Sequence, residues 1–354
     1  MGRFTTYIII GVLSLLVLAS GGLLIQTNSK LNNAHTIRSA TYVVAASNAS
    51  PNSKAQADFV CDGSDDNVEI QAAIDALPVT GGIVHLTEGA FNISAPISIY
   101  RRVANWGPLW LQGSGIKVTT IFLQDHTNSN MIENIVIDYD AGFKKVSDMM
   151  LNANKAKQTS GNGIYSVKTG KGQSFDQQYE NIYVDGMKDT GIYITSAWGV
   201  DMTNILSEHN GGDGIYLQGT QNYMSHVYVK GNYGNGLFLL TDQGHYTNVQ
   251  SEANGKAGVV LQAGRWNNFS NFVVRDWGGA TDSNYRGFQL GSTGKYQNSD
   301  FNTISGISIS GNKGSSPLNY PMLIQQGTLN SLSGLVIDDV ANVDYAVVLA
   351  NTAT

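Results

Sequence analysis

Two aspartates and a histidine are the residues of this chain best suited to acid–base chemistry. Asp189 and Asp213 each lie near the start of a short apolar run, and His209 lies between them. A pair of carboxyl groups can hydrolyse a glycosidic bond, because one protonates the leaving oxygen while the other activates water. Carboxylates at such positions can equally accept bonds in turns, and Asn162 and Asn235 hold equivalent places. The sequence predicts Asp189, Asp213 and His209 as catalytic candidates and leaves the turn role open.

A row of aromatic residues is the second candidate. Tyr193, Tyr216 and Phe238 recur at one position of consecutive repeats, and Tyr165 extends the row. Side chains alternate along a strand, so Tyr216 points outward if Ile215 points inward. Aromatic faces bury apolar area and Tyr keeps a hydroxyl, which suits pyranose rings. The sequence therefore predicts Tyr193, Tyr216 and Phe238 as carbohydrate-binding residues, with a ring ladder that braces the coils as the alternative.

Charged and amide residues recur at other fixed positions. One turn position carries alternating charges, which predicts a structural ion ladder. It holds Glu208, Lys230, Glu252 and Arg275. Another position predicts a ladder of side-chain amides and holds Asn210, Asn232 and Asn254. A further cluster of Asp242, His245 and Arg265 is either a second site or a surface ion pair beside a histidine.

A repeat of about 22 residues must position all of these side chains. Three segments nearly superimpose, with glycines at 214, 236 and 258. A fixed period of this length is typical of a solenoid. Apolar residues alternate within each repeat, which indicates strands, and turn residues separate the strands. The predicted fold class is all-β: a right-handed, single-stranded parallel β-helix with three short strands in each coil of about 22 residues.

The period also predicts which residues stack. One column should face inward and consists of Ile192, Ile215, Leu237 and Val259. A second column should mark a sharp corner and consists of Asn181, Asn204, His226, Asn248 and Asn271. Coordinates that place these residues out of register would contradict the fold.

The remaining segments give the domain organisation. Residues 1–30 read as a signal peptide or an N-terminal membrane anchor, because Arg3 precedes the uncharged, mostly apolar run Tyr7–Ile25. Residues 31–55 are predicted to be a linker with one strand, and residues 56–354 the β-helix. An amphipathic helix over 66–77 should cap its first coil, with Asp66 and Glu69 at capping-box spacing.

The capping region also carries a family resemblance. The motifs are Asp62-Gly-Ser-Asp-Asp66, Ile70-Gln-Ala-Ala-Ile-Asp75 and Gly81-Gly-Ile-Val-His-Leu-Thr-Glu-Gly89. They resemble the opening of pectate-lyase-like β-helix proteins, the pectin lyase fold superfamily, which includes hydrolases, lyases and phage tailspikes. The resemblance implies a polysaccharide ligand, often an acidic one, and hydrolase or lyase chemistry. The hydrolase pattern is only partly present, at Gly244-His245-Tyr246, and no compact acidic set provides the calcium pocket of a lyase.

The functional prediction follows from the fold and the export signal. We expect an extracellular or cell-surface protein that binds polysaccharide, and if it is an enzyme, a hydrolase or lyase acting on acidic glycans. The alternative is a non-catalytic adhesive or tailspike-like rod. The net charge of −6 argues against a nucleic-acid partner, and neither a cofactor nor a metal is expected. A membrane partner follows only if residues 1–30 are retained, and the C-terminal end, which lacks a cap motif, suggests a homo-oligomer contact.

Overall fold

The computed structural model describes residues 41–100, 107–137, 143–171, 174–278, 286–291, 299–312, 320–325, 327–338 and 347–349. The predicted targeting segment, residues 1–30, lies outside these ranges. Within them, neither helix has the length and apolar character needed to cross a membrane.

Short parallel strands make up most of the described chain. The strands are β1 Thr41–Ala45, β2 Phe59–Val60, β3 Gly82–Leu86, β4 Gly89–Ile93, β5 Ile97–Ser98, β6 Leu109–Gln112, β7 Thr119–Leu123, β8 Ile132–Val136, β9 Lys144–Asn152, β10 Ile164–Lys168, β11 Ser174–Asp185, β12 Ile192–Glu208, β13 Ile215–Thr220, β14 Tyr223–Lys230, β15 Leu237–Asp242, β16 His245–Glu252, β17 Val259–Ala263, β18 Asn268–Trp277, β19 Arg286–Leu290, β20 Thr303–Asn312, β21 Tyr320–Ile324, β22 Ser331–Asp338 and β23 Val347–Leu349. The helices are α1 Pro51–Gln56 and α2 Asn67–Ala76, with a 3-10 turn at Lys155–Lys157.

Each strand pairs with its counterpart one coil later, as the 22-residue repeat predicts. β13 pairs in parallel with β15, and β15 with β17, while β14 pairs with β16 and β16 with β18. The second and third predicted strands of a coil form one bent strand, because a left-handed residue such as Asn248 turns the chain between them. The fold is therefore the predicted parallel β-helix.

Both predicted columns are confirmed. The inward residues Ile192, Ile215, Leu237 and Val259 are in direct register and are fully buried. At the corner, the left-handed backbone runs through eight coils. Its residues are Asp148, Asn181, Asn204, His226, Asn248, Asn271, Gly306 and Gly334. Asn, Asp and Gly enter the left-handed region at low cost, which explains why these residue types recur here.

The predicted amide ladder lies inside the turn before the first strand. Asn210 Nδ2 donates to Asn232 Oδ1 at 2.8 Å, and Asn232 Nδ2 donates to Asn254 Oδ1 at 2.9 Å. All three asparagines are buried. A Cβ on Gly214 would stand 2.8 Å from Asn232 Nδ2. The repeated glycine of the sequence therefore makes room for the amide of the following coil.

The predicted ion ladder has the expected register on the exposed edge. Glu252 Oε1 lies 3.5 Å from Lys230 Nζ, and Glu252 Oε2 lies 3.6 Å from Arg275 Nη2. Glu208 is aligned with Lys230 and accepts a bond from the Tyr183 hydroxyl at 2.9 Å. Ion pairs as exposed as these contribute little to stability, because solvent screens them.

Helix α2 covers the first coils, and its apolar side chains Ile70, Ala73 and Ile74 are fully buried. The expected capping box does not form, because Asp66 makes no side-chain bond to the helix. Asp66 instead accepts bonds from the backbone N–H of Gly63 at 2.9 Å and from that of Asn92 at 2.7 Å. It therefore ties the start of the helix to strand β4.

The compact unit begins upstream of residue 56. Strand β1 pairs with β2, and Val44, Ala45 and Ala46 are fully buried in the core. Contacts within the chain place the start of this unit at Tyr42. Residues 42–55, which the sequence predicts as part of a linker with one strand, contain most of that strand as β1 and lie within this unit.

The last described coil is covered least. Strand β22 is exposed along most of its length, including Leu332 and Val336, and Leu349 of β23 is exposed as well. Contact between this end and a second copy of the chain stays a prediction.

Candidate binding groove

The two predicted catalytic aspartates lie in adjacent coils, and each bonds to backbone. Asp189 Oδ2 accepts a bond from Gly161 N at 2.7 Å, in the preceding coil. Asp213 Oδ1 accepts bonds from Asn235 N at 2.6 Å and Asn235 Nδ2 at 2.9 Å, in the following coil. Burial raises the pKa of Asp213, although the Asn235 donors act in the opposite direction. Both aspartates serve turns, and their catalytic role stays a prediction.

His209 lies at the exposed turn on the other side of the amide ladder. Its Nδ1 is 3.0 Å from Asp185 Oδ1, and its backbone oxygen accepts a bond from Lys155 Nζ. The structure therefore pairs His209 with Asp185. The catalytic role of His209 beside Asp189 and Asp213 stays a prediction.

The predicted aromatic row is present on the outside of the first strand. The ring centroids of Tyr165 and Tyr193 are 5.5 Å apart, those of Tyr193 and Tyr216 4.6 Å, and those of Tyr216 and Phe238 5.2 Å. The rings are within 18° of parallel. Their faces therefore cover one another, and solvent meets mainly edges and hydroxyl groups. Carbohydrate binding by this row stays a prediction.

A second left-handed corner, between the first and second strands of each coil, has a different composition. Its residues are Asp176, Gly199, Gln221, Gln243, Trp266, Phe301 and Leu329. Trp266, Phe301 and Leu329 have φ of 57°, 55° and 54° and are 50%, 43% and 75% exposed. The left-handed region costs a bulky residue about 1–2 kcal/mol. Neither burial nor backbone preference favours large apolar residues here, which is the pattern expected of a binding surface.

An aromatic cavity of about 430 Å³ lies at the upstream end of this corner. Its apolar wall consists of Phe143, Phe175, Trp198 and Tyr223, and its polar residues include Asp176, Asp201, Gln178 and Gln221. The Phe175 and Trp198 rings are 5.7 Å apart, and Trp198 Nε1 donates to Gln221 Oε1. Thr203 Oγ1 donates to Asp201 Oδ1 at 3.3 Å. Exposed rings beside carboxylates and amides are the groups that bind hydroxyl-rich rings.

A second cavity of about 410 Å³ follows downstream and contains part of the predicted cluster. Asp242, Arg265 and Asp300 line it. Asp242 Oδ1 accepts a bond from Arg265 N at 2.7 Å, and Arg265 Nη2 lies 3.8 Å from Asp242 Oδ2. His245 lies apart from this pair and stacks on Tyr223 at 5.4 Å.

The two cavities flank one exposed surface, which we call the aromatic corner. It is formed by Phe175, Trp198, Tyr223, Trp266 and Phe301. These rings are distributed over six successive coils, which at about 4.8 Å per coil gives a length of about 24 Å. Its length along the helix axis suits a chain molecule better than a single small ligand.

The 22-residue repeat does not predict the aromatic corner. Its rings stand at uneven positions, since Phe175 and Trp198 precede the left-handed residue, Trp266 and Phe301 occupy it, and Tyr223 follows it. One signal was available. Trp266 stands between Arg265 and Asn267, where the neighbouring coil has Gln243, and a large apolar residue in a turn that can bury nothing indicates a surface role.

Among the described residues, one group has the spacing of metal ligands: Cys61, Asp66 and Glu69. Burial raises the pKa of the Cys61 thiol, with the charges of Asp66 and Glu69 adding to the effect. A thiol must lose its proton to bind a metal, and Asp66 already accepts two backbone bonds. These properties favour a structural role for the cluster in the capping region over metal binding.

Comparisons with known proteins agree with the fold. A family model for the right-handed β-helix region matches residues 142–295, and no curated protein matches the sequence. The chain therefore has a right-handed parallel β-helix fold.

Three solved structures show the same architecture. DFA-IIIase from Arthrobacter chlorophenolicus A6 superimposes with a TM-score of 0.55 at 11% identity, over 86% of this chain and 91% of that one. Pectate lyase Pel9A gives 0.50 at 14%, over 88% and 80%. The enzymatically active domain of tailspike protein 2 from bacteriophage CBA120 gives 0.51 at 16%, over 77% of this chain and only 40% of that one. At such identities the likeness is one of fold.

Proposed function

We propose that this chain binds an extracellular polysaccharide lengthwise along the aromatic corner. The observation that carries the proposal is the set of exposed rings, two of them in left-handed conformations that cost free energy without burial. Rings at successive steps along a helix axis present repeated apolar surfaces to the repeating units of a polymer. The cavities on either side provide carboxylate, amide and guanidinium groups for hydroxyl groups.

Export is part of the proposal. The apolar segment at 7–25 supports secretion or membrane anchoring, and a polysaccharide ligand outside the cell is consistent with it. The named proteins of this fold include a pectate lyase and a phage tailspike. In the alternative function, a non-catalytic surface rod, alone or as an oligomer, uses the same aromatic corner for adhesion.

Glycoside hydrolysis is a second candidate function, favoured by Asp176 and Asp201. Both carboxylates line the aromatic cavity, where one can protonate a leaving oxygen and the other activate water. Asp189 and Asp213, with His209, remain the competing acid pair. The test is the release of reducing ends from a polysaccharide by the wild type and by two variants. If Asp201→Asn abolishes this release and Asp213→Asn keeps it, the reaction takes place in the aromatic cavity. The opposite result would assign the reaction to Asp189 and Asp213.

The binding proposal is tested with Trp266→Ala in the full-length chain. We expect the apparent Kd for immobilised polysaccharide to rise on the order of tenfold or more, because a central aromatic contact contributes roughly 1–2 kcal/mol or more. The melting temperature should change little, since the ring is half exposed. A panel of plant and bacterial polysaccharides on an array provides the ligands.

Tyr216→Ala is the matched control. Its ring faces are covered by Tyr193 and Phe238, so its loss should lower the melting temperature and leave binding intact. If Tyr216→Ala removes binding while Trp266→Ala does not, the ligand lies on the row predicted from sequence and the groove proposal is wrong.

A further inference from the structure

The cavities beside the aromatic corner are predominantly acidic. Four carboxylates line them: Asp176, Asp201, Asp242 and Asp300. Among these lining residues, which all lie in the described ranges, Arg265 is the only cationic side chain. A ligand that follows the aromatic corner therefore passes more negative than positive groups.

The charge of Arg265 is already engaged within the protein. Its backbone N–H donates to Asp242 Oδ1 at 2.7 Å, and its guanidinium lies 3.8 Å from Asp242 Oδ2. The same guanidinium lies 5.1 Å from the centre of the Trp266 ring. Arg265 thus offsets Asp242 and braces a ring of the aromatic corner, and it adds little free positive charge for an anionic ligand.

From this arrangement we infer that the aromatic corner and its cavities bind glycans without carboxylate groups and discriminate against polyuronates. The inference rests on the proposed function, and it differs from the acidic ligand that the family resemblance implies. Carboxylates of a uronate chain would approach Asp176 and Asp201 at close range, where like charges repel. Sugar hydroxyl groups, by contrast, donate hydrogen bonds to the same oxygens.

Matched ligands test the inference. Polygalacturonate and alginate are each compared with their carboxyl-reduced forms, which keep the linkages and lose the charge. With the full-length protein at low salt, we expect the reduced member of a bound pair to bind on the order of tenfold more tightly. Added salt should narrow the difference, because Asp176 is exposed and Asp201 partly exposed, and salt at 0.1 M screens such solvent-facing charges with a Debye length of about 10 Å.

Charge variants locate the effect. Asp176→Asn together with Asp201→Asn should reduce the discrimination by roughly half or more on a logarithmic scale, since two of the three lining carboxylates that Arg265 does not offset are removed. The control combines Asp75→Asn with Asp125→Asn, which changes the net charge equally at two exposed positions outside the cavity linings. This control should leave the discrimination unchanged.

The outcomes separate the two proposals. Polyuronate binding that equals or exceeds binding of the reduced form, and that Trp266→Ala weakens, overturns the inference and leaves the proposed function standing. Discrimination that the control changes as much as the groove variant also overturns the inference. If neither member of either pair binds and the array is blank, the proposed function and the inference both fall.

Discussion

Single residues in this protein differ in what their conformation costs. Asn204 and Asn271 occupy left-handed corners at φ 55° and donate to the asparagines one coil before, at 2.8 and 2.6 Å. Trp266 and Phe301 occupy the other corner at nearly the same φ, and their rings stack 6.0 Å apart in solvent. The first pair supports the coil, whereas the second uses the same backbone to expose apolar surface.

Asp213 provides a pH-dependent prediction at this scale. Burial raises the pKa of Asp213 in the folded state, so the folded protein binds this proton more tightly than the unfolded chain does. The free energy of unfolding of the wild type therefore rises as the pH falls from above the folded-state pKa to the pKa of the unfolded chain. Asp213→Asn lacks this titration. We therefore expect the variant to be more stable than wild type at pH 7, with the difference shrinking toward pH 4 in urea unfolding.

The control is Asp189→Asn, which removes an exposed turn carboxylate in the adjacent coil. A variant at position 213 that is less stable than wild type at pH 7 would show that the Asn235 donors outweigh burial. Loss of a hydrolytic activity with unchanged stability would instead support the catalytic role of Asp213.

At the scale of elements, stability depends on buried ladders more than on exposed ones. The amide ladder through Asn232 uses all of its polar atoms, since Oδ1 accepts from Asn210 and Nδ2 donates to Asn254 and to the Ser207 oxygen at 3.1 Å. Lys230, two residues earlier, contributes a partly exposed ion pair. The two positions are near neighbours along the coil and differ mainly in burial.

Paired substitutions measure this difference. Asn232→Ala leaves buried groups of Asn210 and Asn254 without a partner, and we expect a loss of about 2–4 kcal/mol in the free energy of unfolding. Lys230→Ala should leave the free energy of unfolding nearly unchanged, because its ion pair is exposed to solvent. Chemical denaturation of both variants provides the measurement. Similar losses at the two positions would contradict the structural assignment of the ladders.

At the scale of the whole molecule, coil stacking converts a 22-residue period into a long surface. The aromatic corner gains its length from parallel pairing, since each coil adds one step of about 4.8 Å. Exposed aromatic side chains confined to one coil would not favour a polymer over a monosaccharide. Aromatic side chains repeated along the helix axis favour the polymer.

This geometry predicts a length dependence for the ligand. Oligosaccharides of the bound glycan should bind more tightly as they lengthen, until they span the aromatic corner at about 24 Å, five spacings of ~4.8 Å. Further lengthening should leave the Kd per chain nearly constant. Calorimetric titration of a size series measures this, and equal affinity for a disaccharide and a long oligomer would contradict lengthwise binding.

The sequence by itself determined the fold and its register. Alternating apolar residues, the glycines at 214, 236 and 258, and the asparagines of the corner each reflect local backbone and packing needs that recur in every coil. Those needs act between equivalent positions, so a period reveals them. The columns through Ile215 and Asn204, and the ladders through Asn232 and Lys230, followed from spacing alone.

Only the tertiary structure decided which residues form the candidate site. The rings of the aromatic corner occupy three positions of the coil: Phe175 and Trp198 share one, and Tyr223 and Trp266 hold two others. No single repeat position therefore contains them all. They lie on one surface because a left-handed residue turns the chain between the first and second strands of each coil. Asp189 and Asp213, which the repeat did align, prove to hold backbone in turns, because equivalent positions in a solenoid most often share a structural task.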